Sequence, residues 1–194
     1  MPEKKQLWLL AGGDGAGKST FYNTQLKSPG LPFINADSIA KELYPAEPES
    51  HSYDASKIAA HMRSKLLTSG ESFCFETVFS HPSKIDFVAQ AKANGYEVVL
   101  VFIHLDNISL NLARISQRVE EGGHAVPAEK VEQRIPRTLE NIKTVLPLCD
   151  YVYILQNQSL GNPFEPIATI SQSGVVLHNR EAPDWAMSLL SDYL

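Results

Sequence analysis

The sequence has little cysteine, no long apolar run and no basic excess, and each shortage narrows its class. Cysteine occurs only at Cys74 and Cys149, far apart and without metal-type spacing. Two buried free thiols in a reducing compartment are expected, with one disulfide as the alternative. No stretch approaches the roughly 20 apolar residues of a membrane-spanning helix. The N-terminal apolar run, Gln6 to Ala11, is shorter than a signal-peptide core of about 7–15 residues and is needed as a first strand. A cytoplasmic protein without a membrane partner is expected. Lys and Arg number 17 against 22 Asp and Glu, a net charge of −5, which argues against a general nucleic-acid binder. None of His61, His104 and His124 has ligand spacing with another His or Cys, and no internal repeat or low-complexity segment is present.

What is there begins with Gly12-Gly13-Asp14-Gly15-Ala16-Gly17-Lys18-Ser19-Thr20. This stretch fits G-x-x-x-x-G-K-[ST]. Glycines let the backbone curl around an anion with successive N–H groups pointing inward. At this spacing Lys18, expected to be exposed in the loop, reaches β- and γ-phosphates, and the Ser19 hydroxyl sits on Mg²⁺. The apolar run 6–11 precedes the loop, and residues 19–26 read as a helix whose positive end faces the same anion. Strand, glycine loop, helix is the context the motif requires.

Length and composition fit one soluble domain over residues 1–194, with 43% hydrophobic and 20% charged residues. Further strands are predicted at 31–37, 72–78, 96–105 and 151–155. Helices are predicted at 38–44, 54–68, 82–94 and 107–119. Ile58, Met62 and Leu66 mark the apolar stripe of one, and Ile108, Leu112, Ile115 and Val119 that of another. Residues 120–127 break the helix at 107–119, and a helical region to about Leu146 follows, with a kink or fresh start expected at Pro136. Around 163–194 the pattern gives a small hairpin and a terminal helix at 185–193. Strands alternating with helices predict an α/β fold of the P-loop NTPase kind, an open parallel five-stranded sheet flanked by helices.

Three carboxylates fall at the carboxyl ends of strands, where such sheets bind ligands: Asp37, Glu76 and Asp106. Asp37 either takes a proton from an attacking hydroxyl or caps the helix starting at Ser38, and both roles are compatible. Glu76, followed by Thr77, either holds Mg²⁺ through water, or binds the acceptor, or is a rim acid paired with a nearby Lys or Arg. Arg114 and Arg118, four apart, repel unless an anion joins them. Lys130, Arg134 and Arg137 follow the glycine-containing break. Arginine suits phosphoryl transfer because its planar fork binds phosphate oxygens in pairs. Residues of about 114–137 therefore read as a lid over a nucleotide, or as a solvated helix face balanced by Glu120, Glu121, Glu129 and Glu132.

The order of these motifs resembles the short kinases of the zeta-toxin family. The residues that carry the likeness are Gly12 to Thr20, Phe33-Ile34-Asn35-Ala36-Asp37, Phe75-Glu76-Thr77, Arg114, the run Arg118-Val119-Glu120-Glu121-Gly122-Gly123-His124-Ala125-Val126-Pro127, and Arg134. It covers roughly residues 5–157. The resemblance implies an adenylate-kinase-like sheet with ATP and Mg²⁺ on the P-loop, Asp37 as base, Arg118 and Arg134 on the nucleotide phosphates, and Glu76 with Thr77 near the acceptor. It suggests a small-molecule acceptor, first a UDP-N-acetyl amino sugar. This chain departs from the family pattern at Asp14, an acid where neutral residues are usual, and in Gln156-Asn157-Gln158-Ser159, which lacks the Asp expected before Asn-Ser. Toxicity is not carried over, and nothing in the sequence argues for an antitoxin. The other class in view is a nucleotide-dependent switch that hydrolyses ATP slowly and acts through a protein partner. A transporter ATPase is excluded, since no Leu-Ser-Gly-Gly-Gln signature occurs.

Overall fold

The apolar run 98–103 becomes the middle of the sheet. It lies in strand β4, Glu97–His104, where every residue after Glu97 is buried, as a strand covered on both faces requires. Strand β1, Gln6–Ala11, pairs parallel with β4 on one side and with β3, Phe73–Thr77, on the other. The short β2, Phe33–Ile34, lies beside β3, and β5, Tyr151–Gln156, beside β4, again parallel. All five predicted strands form. Two more, β6 at Glu165–Ser171 and β7 at Gly174–Leu177, add to β5 in antiparallel fashion, giving a seven-stranded sheet ordered β2-β3-β1-β4-β5-β6-β7. The hairpin predicted as a small appendage joins the sheet because Ile167, Ala168 and Ile170 are buried in the common core. The computed structural model describes residues 4–28, 30–120, 125–159, 161–179 and 181–194.

The helices that flank this sheet are α1 (Lys18–Phe21, continued by a π-helical turn Tyr22–Leu26), α2 (Ala36–Leu43), α3 (Ser52–Ser69), α4 (Ser83–Ala93), α5 (Ile108–Glu120), α6 (Ala128–Val145) and α7 (Asp184–Leu189). One core cluster joins Leu7, Leu9, Phe75 and Phe102 of the sheet to α3, α4, α6 and α7. The opposite cluster joins Leu10, Val101 and Ile103 to Tyr22 beyond the P-loop. α6 runs through Pro136 as one helix. A proline removes one ladder hydrogen bond, and the buried stripe Val131, Thr138, Ile142 and Val145 holds the helix on both sides of it.

Two predicted helix stripes are shifted. In α3 the buried positions are Ala55, Ala59, Arg63 and Leu67, and Met62 is 39% exposed. Alanines permit close approach, so α3 turns its small residues inward and carries Arg63 in with them. In α5, Asn111 and Ile115 are buried while Ile108 and Val119 lie toward solvent. Asn111 satisfies its amide by donating to the carbonyls of Leu105 and Asn107. Both cysteines are free thiols, so the disulfide alternative does not form. The break at Gly122, Gly123 and His124, central to the predicted lid, lies outside the described residues. No helix among the described residues is long and apolar enough to cross a membrane.

Candidate active site

The P-loop leaves β1 at the carboxyl edge of the sheet, between β3 and β4. A Cβ built on Gly12 would stand 2.2 Å from the Ile103 carbonyl oxygen, so only glycine lets β1 turn here against β4. Gly17, at φ +93°, opens α1 in the left-handed region, and a Cβ there would meet Asn157 Nδ2 at 2.5 Å. Lys18 is buried, at 7% exposure, rather than exposed as expected. The loop folds over its stem, and Nζ donates to the Gly13 carbonyl at 2.9 Å. Loop, lysine and helix start form one unit.

Glu76, last but one in β3, lies level with Leu10 of β1 and so beside the loop. Its Oε2 accepts from Ser19 Oγ at 2.9 Å, and its Oε1 is 3.7 Å from Lys18 Nζ. The pairing with a lysine is real, but that lysine is the P-loop's own. Ser19 and Glu76 thus present two hard oxygen donors to one point. Mg²⁺ keeps several waters and takes few protein oxygens beside substrate phosphates, so this donor set fits it.

Two cavities open on either side of this point. The larger, about 1080 Å³, runs from Gly15, Gly17 and Ser19 to Arg114, Asn157 and Phe164. The smaller, about 620 Å³, is lined by Asp14, Asp37, Arg63, Thr77, Lys84 and Arg134, among others. Lys18, Glu76 and Arg118 line both.

On the larger side the charges are anchored. Arg114 Nη1 donates to the Asn157 carbonyl at 2.8 Å, and burial holds the guanidinium below its ordinary pKa. Asn157 Nδ2 donates in turn to the Ala16 carbonyl at 2.9 Å. Sequence reasoning noted only what this segment lacks; the buried Asn157 ties the loop after β5 to the P-loop, and its amide is the signal that was available.

On the smaller side, Arg134 Nη1 donates to Asp14 Oδ2 at 2.9 Å. The acid that departs from the family pattern is therefore the partner of a predicted lid arginine. Arg137 is exposed and lines neither cavity. Asp37 is exposed in the first turn of α2, where its charge suits the helix N-terminus, but it is not the cap. Asn35 is: its Oδ1 accepts from Ser38 N at 2.8 Å. The helix starts at Ala36, two residues before the predicted Ser38, and this leaves the Asp37 carboxylate uncommitted to the cap. Thr77 Oγ1 accepts from Phe79 N at 3.0 Å, steadying a buried residue at φ +63°. α6 grips the same turn, with Thr138 Oγ1 donating to the Val78 carbonyl and Asn141 Nδ2 to that of Phe79. Asp106 lies 3.7 Å from His104 and lines neither cavity.

Known proteins identify the family and the fold. The zeta-toxin family model matches residues 1–160. An uncharacterized protein of Haemophilus influenzae is 30% identical over 138 residues, covering 68% of this chain and 98% of that protein. Among solved structures, the AvrRxo1-ORF1:AvrRxo1-ORF2 complex superposes with a TM-score of 0.71 at 17% identity, over 93% of this chain and 62% of that one. The chain thus spans less than two thirds of that protein's length. The Streptococcus pneumoniae PezAT toxin–antitoxin system gives 0.68 at 18% identity, over 98% and 78%. A gluconokinase from Sinorhizobium meliloti gives 0.52 at 17% identity, over 97% and 92%. The fold is that of the P-loop kinases, and the chain belongs to the zeta-toxin family.

Proposed function

We propose that the protein is an ATP- and Mg²⁺-dependent kinase that phosphorylates a hydroxyl of a small-molecule acceptor, acting as one cytoplasmic domain over residues 1–194. Family membership and the kinase fold support phosphoryl transfer in general. The observation that carries the reading is the junction at Lys18, Glu76 and Arg118, which line both the loop-side cavity and the cavity holding Asp37. A phosphoryl group passing between donor and acceptor needs such a junction, with cation charge on the transferring oxygens.

In this reading residues 12–20 cradle the ATP phosphates, and Lys18 exchanges its bond to the Gly13 carbonyl for the β- and γ-phosphate oxygens. Ser19 and Glu76 would hold Mg²⁺, directly or through water; when bound, the ion neutralises phosphate charge. Arg118 faces the junction, and Arg134 is oriented by Asp14 at its edge. Asp37 accepts the proton of the attacking hydroxyl. Thr77 stands beside the acceptor through the turn it supports. A UDP-N-acetyl amino sugar is the first acceptor to try, and its hydroxyls and charge suit this cavity.

The test is ADP release on adding acceptors from a nucleotide-sugar panel. A burst that depends on one acceptor, with one phosphorylated product per ADP, supports the kinase. Tight nucleotide binding with slow ADP release that no acceptor changes overturns it in favour of a nucleotide-dependent switch.

A further inference from the structure

Arg63 is 7% exposed, and its Nε has no hydrogen-bond partner. Its guanidinium carbon stands 5.0 Å from the Phe75 ring centroid and 5.4 Å from that of Phe87. A cation–π contact holds the guanidinium near a ring but satisfies none of its N–H donors. No carboxylate among the described residues forms an ion pair with it. Burial alone pushes its pKa down, with no neighbouring acid acting in the other direction. The same cavity wall carries Lys84, half-buried on α4. Its pKa is held down first by burial and then by the charge of Arg63.

The acids that line this cavity are engaged elsewhere or stand apart. Glu76 holds Ser19 and Lys18, and Asp14 holds Arg134. Glu49 accepts from Ala125 N at 2.8 Å. Asp37 lies exposed on α2. Two cations from different helices therefore face one space without an anion between them. Like charges brought together away from water are stabilised by an anion that meets both. A purely structural filler beside Phe75 and Phe87 would be served better by an apolar side chain, with no charge to desolvate.

We propose that Arg63 and Lys84 form an oxyanion-binding subsite, so that the acceptor carries a phosphate, diphosphate or carboxylate besides the hydroxyl it presents for phosphorylation. The second half of this statement rests on the kinase reading; the subsite itself does not. Arginine supplies a planar fork for two oxygens, and lysine a point charge that adapts to the remaining ones.

The experiment is calorimetric titration of the full chain with its P-loop saturated by AMP-PNP and Mg²⁺. The probes are inorganic pyrophosphate, inorganic phosphate and gluconate. Wild type is expected to bind at least one of them. Lys84→Gln and Arg63→Met should each weaken that binding about tenfold or more, as loss of a charge-assisted hydrogen bond does. Arg63→Lys should weaken it less. Met retains the apolar stem against both rings; should that variant still fail to fold, Lys84→Gln decides alone. A phosphate preference and a carboxylate preference both support the subsite and name its anion. Probe binding no tighter to wild type than to Lys84→Gln overturns it. Failure of the kinase reading is separable: if AMP-PNP does not bind, the same titration on nucleotide-free Lys18→Ala still decides the subsite.

Discussion

The two cavities that meet at Lys18 differ in how their positive charge is held. On the larger side, Lys18 donates to the Gly13 carbonyl and Arg114 to the Asn157 carbonyl. On the smaller side, Arg134 is paired with Asp14, but Arg63 and Lys84 meet no anion among the described residues. A preorganised loop loses little entropy when phosphates replace its internal bonds. An unneutralised pair stores its charge for a ligand. On the proposed reading, the difference teaches that the loop side is built in advance for a nucleotide, while the smaller cavity is completed by what binds there.

The largest break should come from Gly12→Ala. Its Cβ would meet the Ile103 carbonyl, which belongs to a central strand and cannot move aside. Destabilisation of about 3 kcal/mol or more and loss of nucleotide binding are expected. Gly13→Ala, with nothing within 4 Å of the added atom, should stay within about 0.5 kcal/mol. Chemical denaturation of the pair measures how much of the loop's rigidity is steric.

Lys18→Met should leave a folded protein whose phosphoryl transfer falls at least about a hundredfold, since a positioned donor to developing charge is worth that much. Retained turnover in steady-state assays would remove the P-loop from the reaction.

Asp37→Asn sharpens the comparison on the smaller side. Because Asn35 caps α2, the melting temperature should hardly change, whereas turnover should drop by about a hundredfold or more. Asn35→Ala should do the reverse in kind, with about 1 kcal/mol lost from stability. Wild-type rates in Asp37→Asn would make Glu76 the base to test next.

The smallest effect lies outside both cavities. Asp150 accepts from Lys92 Nζ at 2.7 Å and from Val98 N at 2.8 Å. Burial works to raise its pKa, but these bonds prevail and hold it below the ordinary carboxylate value. A depressed folded-state pKa stabilises above the unfolded value, and that stability is lost as pH falls through the folded one. Melts of wild type should therefore weaken below about pH 4, and Asp150→Asn should flatten that part of the curve. Neither cavity should register the change, so nucleotide affinity at neutral pH stays constant.

Much of this was legible in the chain. The P-loop and the strands announce themselves because their signals are local: glycine spacing in one case, contiguous apolar residues in the other. Glu76 was legible as a strand-end acid for the same reason, whereas Asp37, read as the end of the second strand, stands in the first turn of α2. What was not legible depends on packing. Asn35 and Asp37 are both good caps two residues apart, and only the backbone decides between them. Arg63 sits next to Met62, on the stripe a hydropathy pattern sends to the core, and only the alanines at 55 and 59 turn the helix by one residue. Asp14 acquires its meaning from Arg134, 120 positions away. No local reading reaches that far.

The most direct test of the account follows the phosphoryl group itself. Cell extract is incubated with the protein and ATP labelled at the γ-phosphoryl, and small molecules are separated by mass spectrometry. The account predicts label in one anionic small molecule with wild type, none with Lys18→Met, and sharply less with Asp37→Asn. Label appearing only in inorganic phosphate, at the same rate with and without extract, would contradict it.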